Sequence, residues 1–96
     1  MKTSIIVRFV GSLRTMAGRS RVKLELNGEK TLREVVGIIV EKIPETKHIL
    51  IDPELGDPRP NTLVIVNGRE ISVLSGLDTV LKDGDEVVFV TVSHGG

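Results

Sequence analysis

One stretch of the chain carries the signature of a long amphipathic helix, and it dictates what the rest must provide. Thr31-Leu32-Arg33-Glu34 has the capping-box spacing: the threonine oxygen can accept the amide three residues on, while the glutamate reaches back to the threonine amide. Behind it Leu32, Val35, Val36, Ile39, Val40 and Ile43 recur at the helical period, and Pro44 stops the pattern. Gly37 costs this helix about 1 kcal/mol relative to alanine, and its presence predicts close packing on a sheet. With one long helix, the apolar stripe has to be buried against strands.

Those strands are readable from their period. Residues 4–10 (SIIVRFV) are rich in β-branched side chains, and Arg21–Asn27 alternates, with Val22, Leu24 and Leu26 on one face and Lys23 and Glu25 on the other. Between them, residues 11–20 are bounded by glycine and polar, and read as a loop with room for a helical turn at 13–17. Residues 45–61 hold Pro53, Gly56, Pro58 and Pro60 and predict an irregular surface loop. Thr62–Val66 is an apolar run ending in Asn67-Gly68, a strong hairpin signal, and residues 69–73 are expected to return as its partner strand. Residues 77–81 form a brief connection, and a turn at 82–85 leads into a last strand at 86–92. The order hairpin, helix, hairpin, strand predicts an α+β roll: a mixed sheet of about five strands, one main helix across one face, and the first and last strands side by side in its centre.

Composition narrows the chemistry. There is no cysteine among the 96 residues, which excludes disulfides, thiolate metal sites and a cysteine nucleophile. The two histidines, His48 and His94, lie far apart and predict no histidine-based metal or acid/base cluster. Phe9 and Phe89 are the only aromatic residues, too few for the stacking platforms that grip single-stranded nucleic acid. No apolar run reaches the ~20 residues of a membrane span, and the amino terminus has no signal-peptide pattern, so a cytoplasmic protein is expected. Residues 1–48 carry ten basic and five acidic side chains and residues 49–96 carry three and eight, an asymmetry that would steer docking onto a partner. The basic cluster Arg14, Arg19, Arg21 and Lys23 lacks interleaved aromatics, so direct nucleic-acid binding is not expected.

This element order, closed by Gly95-Gly96, resembles the β-grasp fold of ubiquitin-like proteins, and its details are similar to the sulfur-carrier branch. From Arg59 to Gly96 the chain follows the ubiquitin-related modifier pattern: Arg59-Pro60, the run 63–67 (LVIVN), Leu74, Leu77-Asp78, Leu81, Asp83, Asp85, Val87-Val88-Phe89 and the final His94-Gly95-Gly96. The first third instead resembles the small subunit of molybdopterin synthase, through Val7-Arg8-Phe9, Leu13-Arg14 and Ala17-Gly18. The proline pair that precedes the tail in that subunit is replaced here by Thr91 and Val92. The chain also resembles small archaeal modifier proteins.

The resemblance divides the chain into a β-grasp domain over 1–92 and a flexible tail over 93–96. Four extended residues reach about 13 Å, enough to enter a partner's buried pocket. Glycine at both last positions removes the Cβ atoms that would obstruct a narrow channel. A carboxylate is a poor electrophile until it is converted to an acyl adenylate, and the chain has no Gly-x-x-x-x-Gly-Lys loop to hold ATP. A separate adenylating enzyme must therefore supply the ATP and magnesium site, with no cofactor bound by the chain itself. The resemblance implies that Gly96 then becomes a thiocarboxylate, charged by a sulfur-transfer enzyme, which donates sulfur to a transfer-RNA uridine or a molybdopterin precursor. In the modifier branch the same end is also joined to lysines of target proteins.

On this reading Gly95 and His94 are recognised by partners, His94 as a polar contact rather than a catalytic group. Period two on the last strand turns Val87 and Phe89 toward the helix and leaves Val88 and Val90, with Ile6, as an apolar face for docking. Two alternatives stay open: the small subunit of a molybdopterin synthase, catalytic only with its large subunit, and a non-covalent β-grasp interaction module.

Overall fold

Alternation decides which side of each strand is buried. The computed structural model describes residues 2–51 and 62–91. In β1 (Lys2–Val10) Ile5, Val7 and Phe9 are buried and Arg8 and Val10 are exposed. In β2 (Arg21–Asn27) Leu24 and Leu26 are buried with Lys23 and Glu25 exposed. Between them α1 (Ser12–Ala17) forms the helical turn that the loop had room for, with Leu13 and Ala17 buried.

The capping box forms as its spacing predicts. After a two-residue strand β3 (Lys30–Thr31), α2 (Leu32–Lys42) begins with Glu34 N donating to Thr31 Oγ1 at 3.2 Å and Thr31 N donating to Glu34 Oε1 at 3.0 Å. The backbone bond from Thr31, then its side-chain bond, holds the Glu34 carboxyl below the usual glutamate range. Leu32, Val35, Val36 and Ile39 are buried against the sheet. Gly37 is not a packing contact: it is exposed, and a Cβ there would meet nothing within 4 Å. The apolar stripe lies on the other side of the helix and needs no close approach at this position.

The five-stranded sheet has the order β2-β1-β7-β4-β5, where β4 is Thr62–Val66, β5 is Arg69–Glu70 and β7 is Glu86–Thr91. β6 (Val80–Leu81) pairs with β3 in a separate two-stranded ladder. β7 lies at the centre, parallel to β1 with Phe9 beside Phe89 and antiparallel to β4. The two phenylalanine rings stack in the core, centroids 6.3 Å apart, both essentially without solvent exposure. Truncating either would cost about 3–5 kcal/mol, because ring burial and cavity formation add.

Three further sequence expectations need correction. Residues 69–73 do not form one strand: pairing ends at Glu70, whose side chain accepts from Ser72 N at 2.6 Å and turns Ile71–Val73 into a 3-10 helix. The connection at 77–81 contains β6, a strand too short to leave a period. The loop read over 45–61 begins later, because Pro44–Thr46 forms a 3-10 turn and Lys47–Leu50 is α3, anchored by the buried Leu50 and by Thr46 Oγ1 donating to Ile43 O at 2.7 Å. The rest of that loop and the tail beyond Thr91 lie outside the described residues.

The start of β7 is fastened by side chains. Asn67 and Gly68 have φ of 49° and 83°, the pair of positive values that a type I′ hairpin requires. Asn67 Nδ2 donates to Asp85 Oδ1 and Asn67 Oδ1 accepts from Glu86 N, each at 2.9 Å. Asp83 Oδ1 accepts from Ser4 N at 2.7 Å. The hairpin turn, the turn before β7 and the start of β1 are thus knotted together at one end of the sheet.

Candidate functional site

The face of the sheet opposite α2 is defined by register. Ile6 pairs with Lys23 on one side and Glu86 on the other; Arg8 pairs with Arg21 and Val88, and Val88 with Ile65; Val10 pairs with Val90, and Val90 with Leu63. The face therefore grades along the strands. Val10 and Leu63 are each 40% exposed and flank the half-buried Val90, while the half-buried Val88 and Ile65 form the row behind them. At the far end the row around Ile6 is charged on both flanks. An exposed ion pair from Arg8 to Glu86, at 3.9 Å, marks the boundary.

Of the three residues read from the sequence, Val88 and Val90 stand together in the apolar part, and Ile6 stands a row apart, between Lys23 and Glu86. Val10, Leu63 and Ile65 complete the patch and were missed. Val10 was within reach, since burial of Ile5, Val7 and Phe9 turns it outward. Leu63 and Ile65 were not, because an uninterrupted apolar run gives no phase.

The apolar end of the face is the end at which β7 finishes. There Thr91 is held by the β1–α1 corner: its Oγ1 donates to Val10 O at 3.1 Å and accepts from Leu13 N at 3.4 Å. Gly11, with φ of 85°, lets the backbone pass against the Thr91 side chain. The last described residue of the chain thus leaves the sheet from a fixed point beside the apolar patch. Gly95, Gly96 and His94 lie outside the described residues. No cluster of metal-ligating side chains occurs among the described residues, and none of their helices is long and apolar enough to cross a membrane.

The ThiS family model matches residues 7–96. The chain belongs to the ThiS family. This ThiS-family chain is 30% identical over 90 residues to small archaeal modifier protein 3 of Haloferax volcanii, covering 93% of this chain and 96% of that one. Among solved structures it resembles Urm1 from Trypanosoma brucei, at 30% identity and a TM-score of 0.81, covering 99% and 97% of the two chains. It also resembles small archaeal modifier protein 1 from Methanosarcina acetivorans, at 25% identity and a TM-score of 0.84, covering 100% and 99%. The fold is the ubiquitin-like β-grasp, and this ThiS-family member stands among ubiquitin-like sulfur carriers and modifiers.

Proposed function

We propose that this chain is a cytoplasmic sulfur carrier whose reacting group is the carboxylate of Gly96. A separate activating enzyme, holding ATP and magnesium, joins that carboxylate to AMP and releases pyrophosphate. Hydrosulfide, or its equivalent from a sulfur-transfer enzyme, attacks the carbonyl carbon; the bond to the phosphate oxygen breaks, AMP leaves, and Gly96 ends as a thiocarboxylate. The thiocarboxylate sulfur displaces an oxygen of a transfer-RNA uridine that another enzyme has first activated as a leaving group, and water then cleaves the acyl–sulfur bond and returns Gly96 to a carboxylate. The acyl adenylate is also attacked by lysine amines of target proteins, an amide forming as AMP leaves. The chain is the substrate in these steps and not the catalyst.

The observation that carries this reading is the family match running from residue 7 to Gly96, which takes in the whole tail. The placement of the apolar face supports it. A partner that admits the tail into its own pocket meets Val10, Val88, Val90, Leu63 and Ile65 next to the point where the strand ends. Apolar contact there supplies affinity without engaging the tail, which stays free to react. On this reading Gly95 and His94 are what the partner's channel recognises, and Ile6 forms the margin of the contact.

Intact-mass measurement tests the proposal. The protein is incubated with ATP, magnesium, a sulfur source and extract of its source cells. Replacement of one oxygen by sulfur, localised to Gly96 and absent when Gly95 and Gly96 are deleted, is the expected result. An unchanged mass in an extract that charges a known carrier would overturn it.

A further inference from the structure

Among the described residues, β2 is one edge of the five-stranded sheet and pairs only with β1. Phe9 N donates to Ser20 O, which sets the alternation of the ladder: the backbone groups of Val22 and Leu24 face β1, and those of Arg21, Lys23 and Glu25 point away from it. Among the described residues no other strand takes up those outward groups. The opposite edge is not comparable, since β5 has two residues and then curls into a 3-10 turn.

Beside the β2 edge, between it and α2, runs a groove of about 290 Å³. Its floor includes Val22, Ile39 and Ile43, and Arg19, Lys23 and Lys42 stand around it. None of these three cations, nor Arg21, makes an ion pair with a described residue. A free strand edge offers a ladder of donors and acceptors to any extended chain, and an adjoining groove receives every second side chain of that chain. The rim sets the sign of the charge it accepts.

From these features we infer that the β2 edge and its groove form a docking site for an extended acidic peptide segment of a partner protein, added as a sixth strand. The alternate side chains of the segment are apolar and lie over Val22 and the α2 side of the groove. The intervening ones are carboxylates, placed as cross-strand neighbours of Arg21 and Lys23. A nucleic-acid backbone would satisfy the cations but not the backbone ladder or the apolar floor. Arg21 and Lys23 therefore select the partner. The β2 edge is distinct from the apolar patch around Val90, although Arg21 and Lys23 lie on the same face of the sheet, and docking there does not depend on the chemistry of Gly96.

The test is a titration of the isotopically labelled full chain with a capped octapeptide of alternating valine and glutamate, followed by amide NMR. Shifts centred on the amides of Arg21 to Glu25 and on the α2 side of the groove are expected, with slowed exchange at the amides of Arg21, Lys23 and Glu25. The double variant Arg21→Glu/Lys23→Glu should bind about tenfold more weakly, from several cross-strand pairs changing sign together. Lys42→Glu, which alters no strand residue, should weaken binding in the same direction, and each variant's own spectrum reports that it is folded. A peptide with lysine in place of glutamate should not bind. The inference is overturned if shifts centre on Val88 and Val90, if millimolar peptide moves nothing, if the lysine peptide binds equally well, or if a short single-stranded RNA competes for the same amides at lower concentration.

Discussion

Gly11 and Thr91 approach so closely that a Cβ on Gly11 would overlap Thr91 Oγ1. Gly11 also has φ of 85° and ψ of −150°, a region essentially confined to glycine. Gly11→Ala is therefore expected to cost about 2–4 kcal/mol, backbone strain and overpacking acting together. Urea unfolding measures the loss. The amide resonances of Leu13 and Thr91 should shift most, since the displaced hydroxyl bonds at that corner; a change below 0.5 kcal/mol, at the level of ordinary surface substitutions, would refute the close approach.

Gly37→Ala should act in the opposite direction. Nothing lies within 4 Å of the added methyl, and the position is an exposed turn of α2. A gain of about 0.5–1 kcal/mol is expected from reduced freedom of the unfolded chain and better helix propensity. A loss measured by thermal unfolding would mean that some contact depends on the glycine.

The Thr31–Glu34 box makes stability depend on pH. The folded-state pKa of Glu34 is depressed by its hydrogen bonds to Thr31, so its contribution is present above the unfolded glutamate range and is lost as pH falls through the lower folded value. Glu34→Gln keeps a capping group but removes the titration. Melting curves from neutral pH down to about pH 3 should show the native protein losing stability relative to this variant. Thr31→Ala, which removes the cap acceptor, should cost about 1 kcal/mol at neutral pH. Parallel pH profiles for the native protein and Glu34→Gln would rule out the box as the source.

Charge on the apolar face should separate folding from activation. Leu63 is 40% exposed, so Leu63→Glu is expected to change stability by less than about 1 kcal/mol. If the activating enzyme grips this face, thiocarboxylate formation should fall at least about tenfold, the scale of losing a central apolar contact. Val80→Glu is the control, at an exposed residue of the separate two-stranded ladder. Equal charging of both variants would move the contact elsewhere.

The elements that could be read in advance were those whose signal is local. Thr31 and Glu34 fix the helix start within four residues, Asn67-Gly68 fixes a hairpin by its backbone angles, and Leu24 and Leu26 declare their face by alternation. The family resemblance supplied the proposed role of Gly96, which no spacing in the chain could. What escaped was set by tertiary contact. β3 and β6, two residues each, exist because they meet one another, and the strand expected at 69–73 is cut short where Glu70 caps Ser72. The phase of Leu63 and Ile65 comes from pairing with Val90 and Val88, so the apolar face became complete only when register was known.

The central position of β7 also has a bearing on biosynthesis. β1 emerges first from the ribosome, yet its parallel neighbour begins at Glu86, some eighty residues later, and β4 is likewise left without its main partner until then. A nascent chain shorter than that has two unsatisfied strand edges where the middle of the sheet should be. Local hairpins and the capped helix can form early, but closure waits on this pairing across some eighty residues. The strand that closes the sheet is also the one that leads toward Gly96. Under the proposed function, an incompletely made molecule offers an activating enzyme neither the apolar face nor the glycine.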